Sequence, residues 1–454
     1  MDQTEHCMST YAASLRYSDL TQEALHAVKR SLIDSIGCAI GAFAAEPVKI
    51  ARRLAVRVSS DMPATLLGTV TKTSPEMAAF VNGAMIRYLD FNDDYINKDG
   101  PHPSDNIAAI LAICEALHAN GKSLACGITL AYEIVGQLVD SAGFKSGGWD
   151  YVTETSIGSA LGAGKVMGLS REQMLHALRL AIVPNIGLLQ TRTGELSMWK
   201  GCAGANAARN GLFAAMLAHE GMTGPNQAIE GPCGLWSQVT GPFELGPFGG
   251  EDHPFKIQDT FFKAAPVMYT ALLAVETARE LRKEVELNHI ESIRIILDAF
   301  SVASSNHPDN WDPHTRETAD HSKQYLVVAA LVDGKISEKT FTPERFRNPQ
   351  ILDLLRKVTL EEDPGYTREF PKTFHCTIEV TDKSGKKWVR HGKNPKGHPA
   401  NPMSDAEIVG KFLKLTGDVL TPEQAQNTLE LLWHIEEADD VSQIVDAIVV
   451  TPSD

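Results

Sequence analysis

The stretch Asn394-Pro-Lys-Gly-His-Pro-Ala-Asn-Pro402 decides how the chain is organised. Its Pro and Gly break helix and strand alike, so it reads as a linker. Beyond it, 404–415 and 422–432 return to helical apolar spacing. Two helices alone bury little surface, so this tail is expected to rejoin a larger body. Before the linker, from about 265 to 400, helical text alternates with β-rich runs. Ile290-Glu-Ser-Ile-Arg-Ile-Ile-Leu297 and Thr373-Phe-His-Cys-Thr-Ile-Glu-Val-Thr381 alternate as half-buried strands do. Lys383-Ser-Gly-Lys-Lys387 is a turn leading into Trp388-Val-Arg-His391.

The larger body lies in residues 1 to about 245, which read mostly as helix. Leu20-Thr-Gln-Glu-Ala-Leu-His-Ala-Val-Lys-Arg-Ser-Leu-Ile-Asp-Ser-Ile-Gly-Cys-Ala-Ile-Gly-Ala-Phe43 has good i, i+4 apolar spacing. Thr21 begins no capping box, because Ala24 stands where Glu or Gln is wanted. Further helices are expected at 75–87, 107–117, 123–139, 156–167, 171–180 and 203–220. They are rich in Ala and Gly, which lets helices approach closely. After Pro225, turns such as Gly231-Pro-Cys-Gly and Gly246-Pro-Phe-Gly-Gly250 change the texture. No internal repeat is evident. The expected fold is mainly α with an inserted α+β domain. A large all-helical domain comes from both chain ends (1–262 and 397–454), and a smaller lid domain spans 263–396.

The composition suits a globular enzyme: 454 residues, 43% hydrophobic and 22% charged. The net charge of −15, from 42 basic and 57 acidic residues, disfavours nucleic acid and anionic membranes as partners. An anionic substrate would need a local basic pocket. There is no eighteen-residue apolar run to span a membrane. The acidic start Met-Asp-Gln-Thr-Glu-His reads as neither a signal nor a transit peptide. Seven cysteines, an odd count without C-x-x-C, fit reduced thiols in a cytoplasmic protein.

Two motif look-alikes fail on their own spacing. Asp90-Phe-Asn-Asp-Asp-Tyr-Ile-Asn-Lys-Asp-Gly-Pro101 begins like a calcium loop, but Tyr95 and Pro101 replace the required Gly and Glu. Gly162-Ala-Gly-Lys165 is followed by Val166 rather than Ser or Thr, so a small-residue helix contact explains it better than a phosphate loop. H-E-x-x-H, G-x-S-x-G and G-x-G-x-x-G are all missing from the sequence. No metal or other cofactor is therefore expected.

Four segments carry candidate chemistry. The first is Tyr88-Leu-Asp-Phe-Asn-Asp-Asp-Tyr95 with His102-Pro-Ser-Asp-Asn106, where an acidic cluster (Asp90, Asp93, Asp94) and His102 precede an apolar helix. Ser104, Asp105 or Asn106 could cap that helix, and its free N–H groups would suit a carboxylate ligand. The plainer alternative is a solvated acidic loop. The second is Arg192-Thr-Gly-Glu-Leu-Ser-Met-Trp-Lys200, whose lysine precedes a helix of small side chains. Beside an apolar surface Lys200 could bind a carboxylate or act as a base. The third is Thr315-Arg-Glu-Thr-Ala-Asp-His-Ser-Lys-Gln-Tyr325, where His321 and Tyr325 would share a helical face. Its alternative is a capped helix with a core tyrosine. The fourth is Phe262-Lys-Ala-Ala-Pro-Val-Met-Tyr269, where Lys263 either faces a cleft or packs in a turn.

The ordered set Leu89-Asp-Phe-Asn-Asp, His102-Pro-Ser-Asp-Asn, Ser197-Met-Trp-Lys-Gly with Ala207-Ala-Arg, Gly221-Met-Thr-Gly-Pro, Ala319-Asp-His-Ser with Tyr325, and Gly397-His-Pro-Ala-Asn-Pro resembles the MmgE/PrpD family. The family includes 2-methylcitrate dehydratase, cis-aconitate decarboxylase and iminodisuccinate epimerase. The resemblance implies a homodimer with a cleft between helical and lid domains. It puts active-site residues at Asp90, His102, Lys200 and Tyr325. Three departures count against the decarboxylase branch. Asp94 stands where that branch uses threonine, Gly148-Trp-Asp-Tyr151 lacks its histidine, and Thr270 replaces a histidine common in the family.

The resemblance implies proton movement at a carbon next to a carboxylate, with the enediolate charge held by fixed positive groups. Lys200, His102 and Arg192 are candidates for holding carboxylates, with Asp94, Lys263 and His321 as further substrate contacts. Asp90 would orient His102 or act as an acid, and Tyr325 would donate to the leaving oxygen. The leading expectation is a cofactor-independent dehydratase of a hydroxy-tricarboxylate such as 2-methylcitrate. An epimerase, isomerase or decarboxylase uses the same proton abstraction. A non-catalytic cation- or ligand-binding protein built on the Asp90–Asp94 cluster is the alternative of another class.

Overall fold

Small residues at helical spacing dictate most of the architecture in the computed structural model, which describes residues 2–450. The chain divides into two units. The first comprises the residues up to Leu189, Gly201–Thr260, and the residues from Ser404 on. The second comprises Gln190–Lys200 and Phe261–Met403.

The first unit is helical, with α1 (Gln3–Ser14), α2 (Gln22–Gly41), α3 (Glu46–Ala55), α4 (Pro75–Tyr88), α5 (Ile107–Ala116), α6 (Gly121–Ser141), α7 (Val152–Val166), α8 (Arg171–Ile182) and α9 (Ala203–His219). A two-residue ladder joins β1 (Ala64–Thr65) to β2 (Lys72–Thr73). Thr21 caps α2 by accepting from the Ala24 N–H, so a cap forms without the box. Helix α7 lies at the centre, packed on α6 and α9. Its Gly162 faces Gly127 of α6 so closely that a Cβ there would sit 2.8 Å from the Gly127 carbonyl oxygen. That contact is the role of the segment resembling a phosphate loop.

The C-terminal helices Asp405–Thr416 and Pro422–Trp433 carry full capping boxes, Ser404 with Glu407 and Thr421 with Gln424. Helix Asp405–Thr416 packs on α2. No single helix among the described residues is long and apolar enough to cross a membrane. All seven cysteines are free thiols, with Cys7 and Cys233 exposed and the others buried.

The second unit has a four-stranded sheet in the order β4-β3-β5-β6. Its strands are β3 (Ile290–Leu297), β4 (Val358–Glu362), β5 (His375–Asp382) and β6 (Lys387–Lys393). Strand β3 pairs parallel with β4 and antiparallel with β5. Helices α10 (Tyr269–Leu281) and α11 (Lys323–Asp333) pack together, and α10 also covers β5 and β6. The Pro- and Gly-rich stretch is pinned rather than loose, because the Phe262 N–H donates to the Gly397 carbonyl at 3.1 Å. Gly397 has φ +94°, and a Cβ there would meet the Phe262 oxygen at 2.0 Å, so only glycine fits.

Candidate active site

In the helical unit, α4 ends at Tyr88 and the chain turns sharply. Asp90 adopts φ +51°, a left-handed conformation that few residues other than Gly, Asn and Asp accept. Arg87 holds it there, with its Nη1 2.5 Å from Asp90 Oδ1 and both side chains 1% exposed. The next residue is also clamped. The Phe91 carbonyl accepts from Lys411 Nζ at 2.5 Å, and the same ammonium pairs with Asp34 at 2.6 Å. Lys411 sits on the helix Asp405–Thr416, so the returning tail supports this loop.

The acidic cluster splits by direction. Asp93 turns into the core, accepting from the Ser104 N–H at 3.0 Å and the Tyr132 hydroxyl at 2.7 Å. Burial, opposed by those bonds, pushes its carboxyl up to about 6. Asn92 donates to the Ser104 hydroxyl at 2.8 Å. Asp99 accepts from the Phe144 N–H at 2.7 Å. Asp94 instead lies 3.5 Å from His102 Nδ1, and both are buried. His102 Nδ1 is 2.6 Å from the Asp93 carbonyl, which can only accept. Nδ1 therefore carries a proton toward that carbonyl. The Asp93 carbonyl thus orients the ring at Nδ1.

The expected caps at 104–106 do not form. A 3-10 turn, Pro103–Asn106, precedes α5, and no side chain caps that helix. The Ser104 N–H is already bonded to Asp93, and the Asn106 amide donates to the Pro103 carbonyl while its oxygen accepts from Ser159. The start of α5 is thus committed to internal partners.

In the second unit, the Gln190–Lys200 segment is stitched down by residues far along the chain. The Leu196 N–H donates to Thr318 Oγ1 at 2.8 Å, and Thr315 Oγ1 donates to the Leu196 carbonyl at 2.8 Å. Arg192 Nη1 donates to the Lys200 carbonyl at 3.0 Å. This delivers Lys200 Nζ to Asp320 Oδ1 at 3.1 Å, with both side chains 1% exposed. His321 Nδ1 lies 2.5 Å from that same oxygen. Asp320 is in turn fixed by its own backbone, whose carbonyl accepts from the Met268 N–H at 3.0 Å. Glu317 beside the cluster has its carboxyl pushed up by burial, with the Asp320 charge adding to the effect.

Three expectations change here. His321 and Tyr325 do not share a helical face, because α11 begins at Lys323 with Ser322 as its cap. The Tyr325 hydroxyl donates to the Thr340 carbonyl at 2.5 Å, and the residue is fully buried against Phe346. Burial pushes that hydroxyl further above its ordinary range. Its surroundings are those of a core tyrosine under a capped helix. Lys263 is fully buried in the segment tied to Gly397. Asp320 and Arg87, the partners of Lys200 and Asp90, are not among the candidates read from the sequence. Asp320 stands in the Ala319-Asp-His-Ser motif, but nothing in the motif sets it apart from its neighbours.

The MmgE/PrpD N-terminal domain matches residues 6–247, and the MmgE/PrpD C-terminal domain matches residues 265–437.

The chain belongs to the MmgE/PrpD family.

Within that family it is 27% identical to a cis-aconitate decarboxylase of Mus musculus, over 94% of this chain and 90% of the relative. It is also 27% identical to a 2-methylcitrate dehydratase of Salmonella typhimurium, over 82% of this chain and 81% of the relative. A mitochondrial 2-methylcitrate dehydratase of Yarrowia lipolytica is 27% identical over 80% of this chain and 74% of the relative. These MmgE/PrpD relatives are enzymes, and at equal identity they do not distinguish the two branches.

Proposed function

We propose that this chain is a cofactor-independent hydro-lyase that dehydrates a hydroxy-tricarboxylate such as 2-methylcitrate. The observation that carries the reading is Lys200, an ammonium group buried to 1% exposure and held by Asp320. An acidic protein needs such a fixed local positive charge to bind a carboxylate and stabilise the enediolate formed from it. His102 supports the reading with a ring fixed at Nδ1 on the Asp93 carbonyl. Arg192, Lys263 and Asp94 are proposed as further substrate contacts. Asp90 is proposed to act through its strained backbone and its Arg87 pair. Tyr325 would have to release the Thr340 carbonyl to reach substrate, so we assign it to holding α11.

Cis-aconitate decarboxylation is the second reading, favoured by the extent of the likeness to the Mus musculus enzyme. Against it stand Asp94, the histidine-free stretch Gly148-Trp-Asp-Tyr151, and Thr270. The protein is proposed to work as a homodimer in the cytoplasm, which sedimentation and fractionation would check.

One experiment tests these readings. Chelator-treated protein is incubated in D₂O with a panel of tricarboxylic and amino-dicarboxylic acids and followed by NMR. A new alkene with loss of water supports the dehydratase. Loss of CO₂ supports the decarboxylase, and deuterium incorporation with inversion supports an epimerase. No reaction with any acid, in folded protein, overturns the lyase reading.

A further inference from the structure

Two histidines outside the residues assigned to the reaction meet on the open face of the sheet. His375 begins β5, and His391 lies in β6, 16 residues further along the chain. The antiparallel register sets Thr377 opposite His391, so His375 and His391 are diagonal neighbours. Side chains alternate along a strand, which gives both histidines the same face. That face points away from α10, because the next residue on each strand packs inward. Cys376 is fully buried, and a Cβ on Gly392 would meet Leu273 Cδ1 of α10 at 2.8 Å.

His375 Nδ1 lies 3.0 Å from His391 Nε2. A hydrogen bond between two ring nitrogens uses one proton and one lone pair. On its other side, His375 Nε2 is 2.9 Å from Glu369 Oε2, and a carboxylate only accepts. Nε2 therefore carries a proton, and Nδ1 is the nitrogen turned to His391. Tyr366 pins the same ring, stacked on it at a centroid distance of 4.8 Å, with its hydroxyl 2.7 Å from Thr377 Oγ1. A histidine whose far N–H is held by a carboxylate is the arrangement found at metal sites. The carboxylate fixes the tautomer and raises the basicity of the ligating nitrogen.

We propose that His375 Nδ1 and His391 Nε2 hold one divalent transition-metal ion, which takes the place of the hydrogen between them, with Glu369 as the carboxylate that orients His375. Imidazole suits Zn²⁺, Ni²⁺ and Cu²⁺. With metal–nitrogen bonds of about 2.0–2.1 Å, a tetrahedral ion needs its two nitrogens about 3.3 Å apart. The observed 3.0 Å is slightly short of that. The ring centroids are 5.2 Å apart, so the rings meet almost end to end and must swing to bring both lone pairs onto one ion. His391 is exposed on the edge strand β6 and has room to swing. Glu369 supplies negative charge, partly offset by Lys393 and Arg368, and water completes the coordination. Short sequence motifs do not record this pair, because strand register brings it together.

The test uses full-length, chelator-treated protein with ¹⁵N-labelled histidine, titrated with Zn²⁺ and followed by NMR. The first equivalent should shift the ring nitrogens of His375 and His391 and leave the other histidines in place. His391→Gln and His375→Gln should each abolish that first binding event. Glu369→Gln should weaken it by roughly ten- to a hundredfold, the cost of losing an outer carboxylate. Circular dichroism checks folding, and His391→Gln, at an exposed position, decides alone if the His375 variant is unfolded. Zinc taken up equally by wild type and His391→Gln, or shifting only other histidines, marks an adventitious ion only and overturns the site. A wild type that takes up no zinc overturns it as well. No arm needs turnover, so the outcome is independent of the lyase reading.

Discussion

The loop after α4 and the Gln190–Lys200 segment both carry buried charge, but they settle it in opposite ways. In the loop the charged groups bond to separate partners: Asp90 to Arg87, Asp93 to Ser104 and Tyr132, and Lys411 to the Phe91 carbonyl and Asp34. In the segment, Lys200 and His321 converge on one oxygen of Asp320. A group with its own partner is fixed in place. Groups sharing a partner can exchange charge, because a proton gained by one is felt at once by the others. The difference makes the loop a rigid support for His102 and Asp94, and the Asp320 cluster a place where one carboxylate oxygen is shared by two groups.

The largest effect should come from breaking the scaffold. Arg87→Leu leaves the Asp90 carboxylate buried without its cation, which should cost about 3–5 kcal/mol in a denaturant melt. A loss below about 1 kcal/mol would mean that the pair does not hold the loop, against the usual cost of a broken buried pair. Next in size are Lys200→Ala and His102→Ala, each expected to lower kcat/KM by roughly a hundredfold or more. Near-native steady-state kinetics in either folded variant would remove that residue from the catalytic set. Tyr132→Phe takes one hydrogen bond from Asp93 and should cost about 1–2 kcal/mol without changing KM. A changed KM would instead place Asp93 close to substrate.

The mildest test concerns a buried acid outside both clusters. Glu154, in the first turn of α7, is fully buried, and neither carboxyl oxygen has a hydrogen-bond partner among the described residues. Burial raises its carboxyl well above 4.5, with Asp99 and Asp150 adding to the effect. The folded state therefore keeps a proton that the unfolded chain has lost, so stability falls as pH rises beyond about 4.5. Glu154→Gln removes this slope. The variant should be the more stable form above that pH, by a margin that widens toward neutrality in thermal melts. An unchanged or reversed margin would mean that Glu154 is ionised in the fold. Asp93 and Asp99, each pushed up to about 6, add the same sign of dependence between about 4 and 6.

Much of the fold was legible because local rules carried it. The 3.6-residue spacing located α2, α4 and α6 to α9 to within a few residues, and period two gave β3 in full. Strand β4 was missed: Val358-Thr-Leu-Glu-Glu362 is short, half-exposed and defined by its parallel pairing with β3 rather than by its own pattern. The placing of 190–200 in the second unit was equally invisible. It depends on Thr315 and Thr318, more than a hundred residues away along the chain. Residue types pointed to His102, Lys200 and His321 as candidates, and the structure shows their partners. Direction did not follow from type. Asp93 and Asp94 are neighbours in sequence, yet one caps a turn in the core and the other sits beside His102. Asp320 lies 120 residues from Lys200, a separation that no spacing rule bridges.

The Lys411 clamp has a consequence for how the protein is made. The Phe91 carbonyl belongs to the first quarter of the chain, but its ammonium partner belongs to the last tenth. A ribosome must therefore synthesise and release the helix Asp405–Thr416 before the loop can take its final shape. Until then a nascent chain holds every candidate residue from Asp90 to Tyr325 without a finished site. Fragments ending before that helix should be inert even where their other helices have formed.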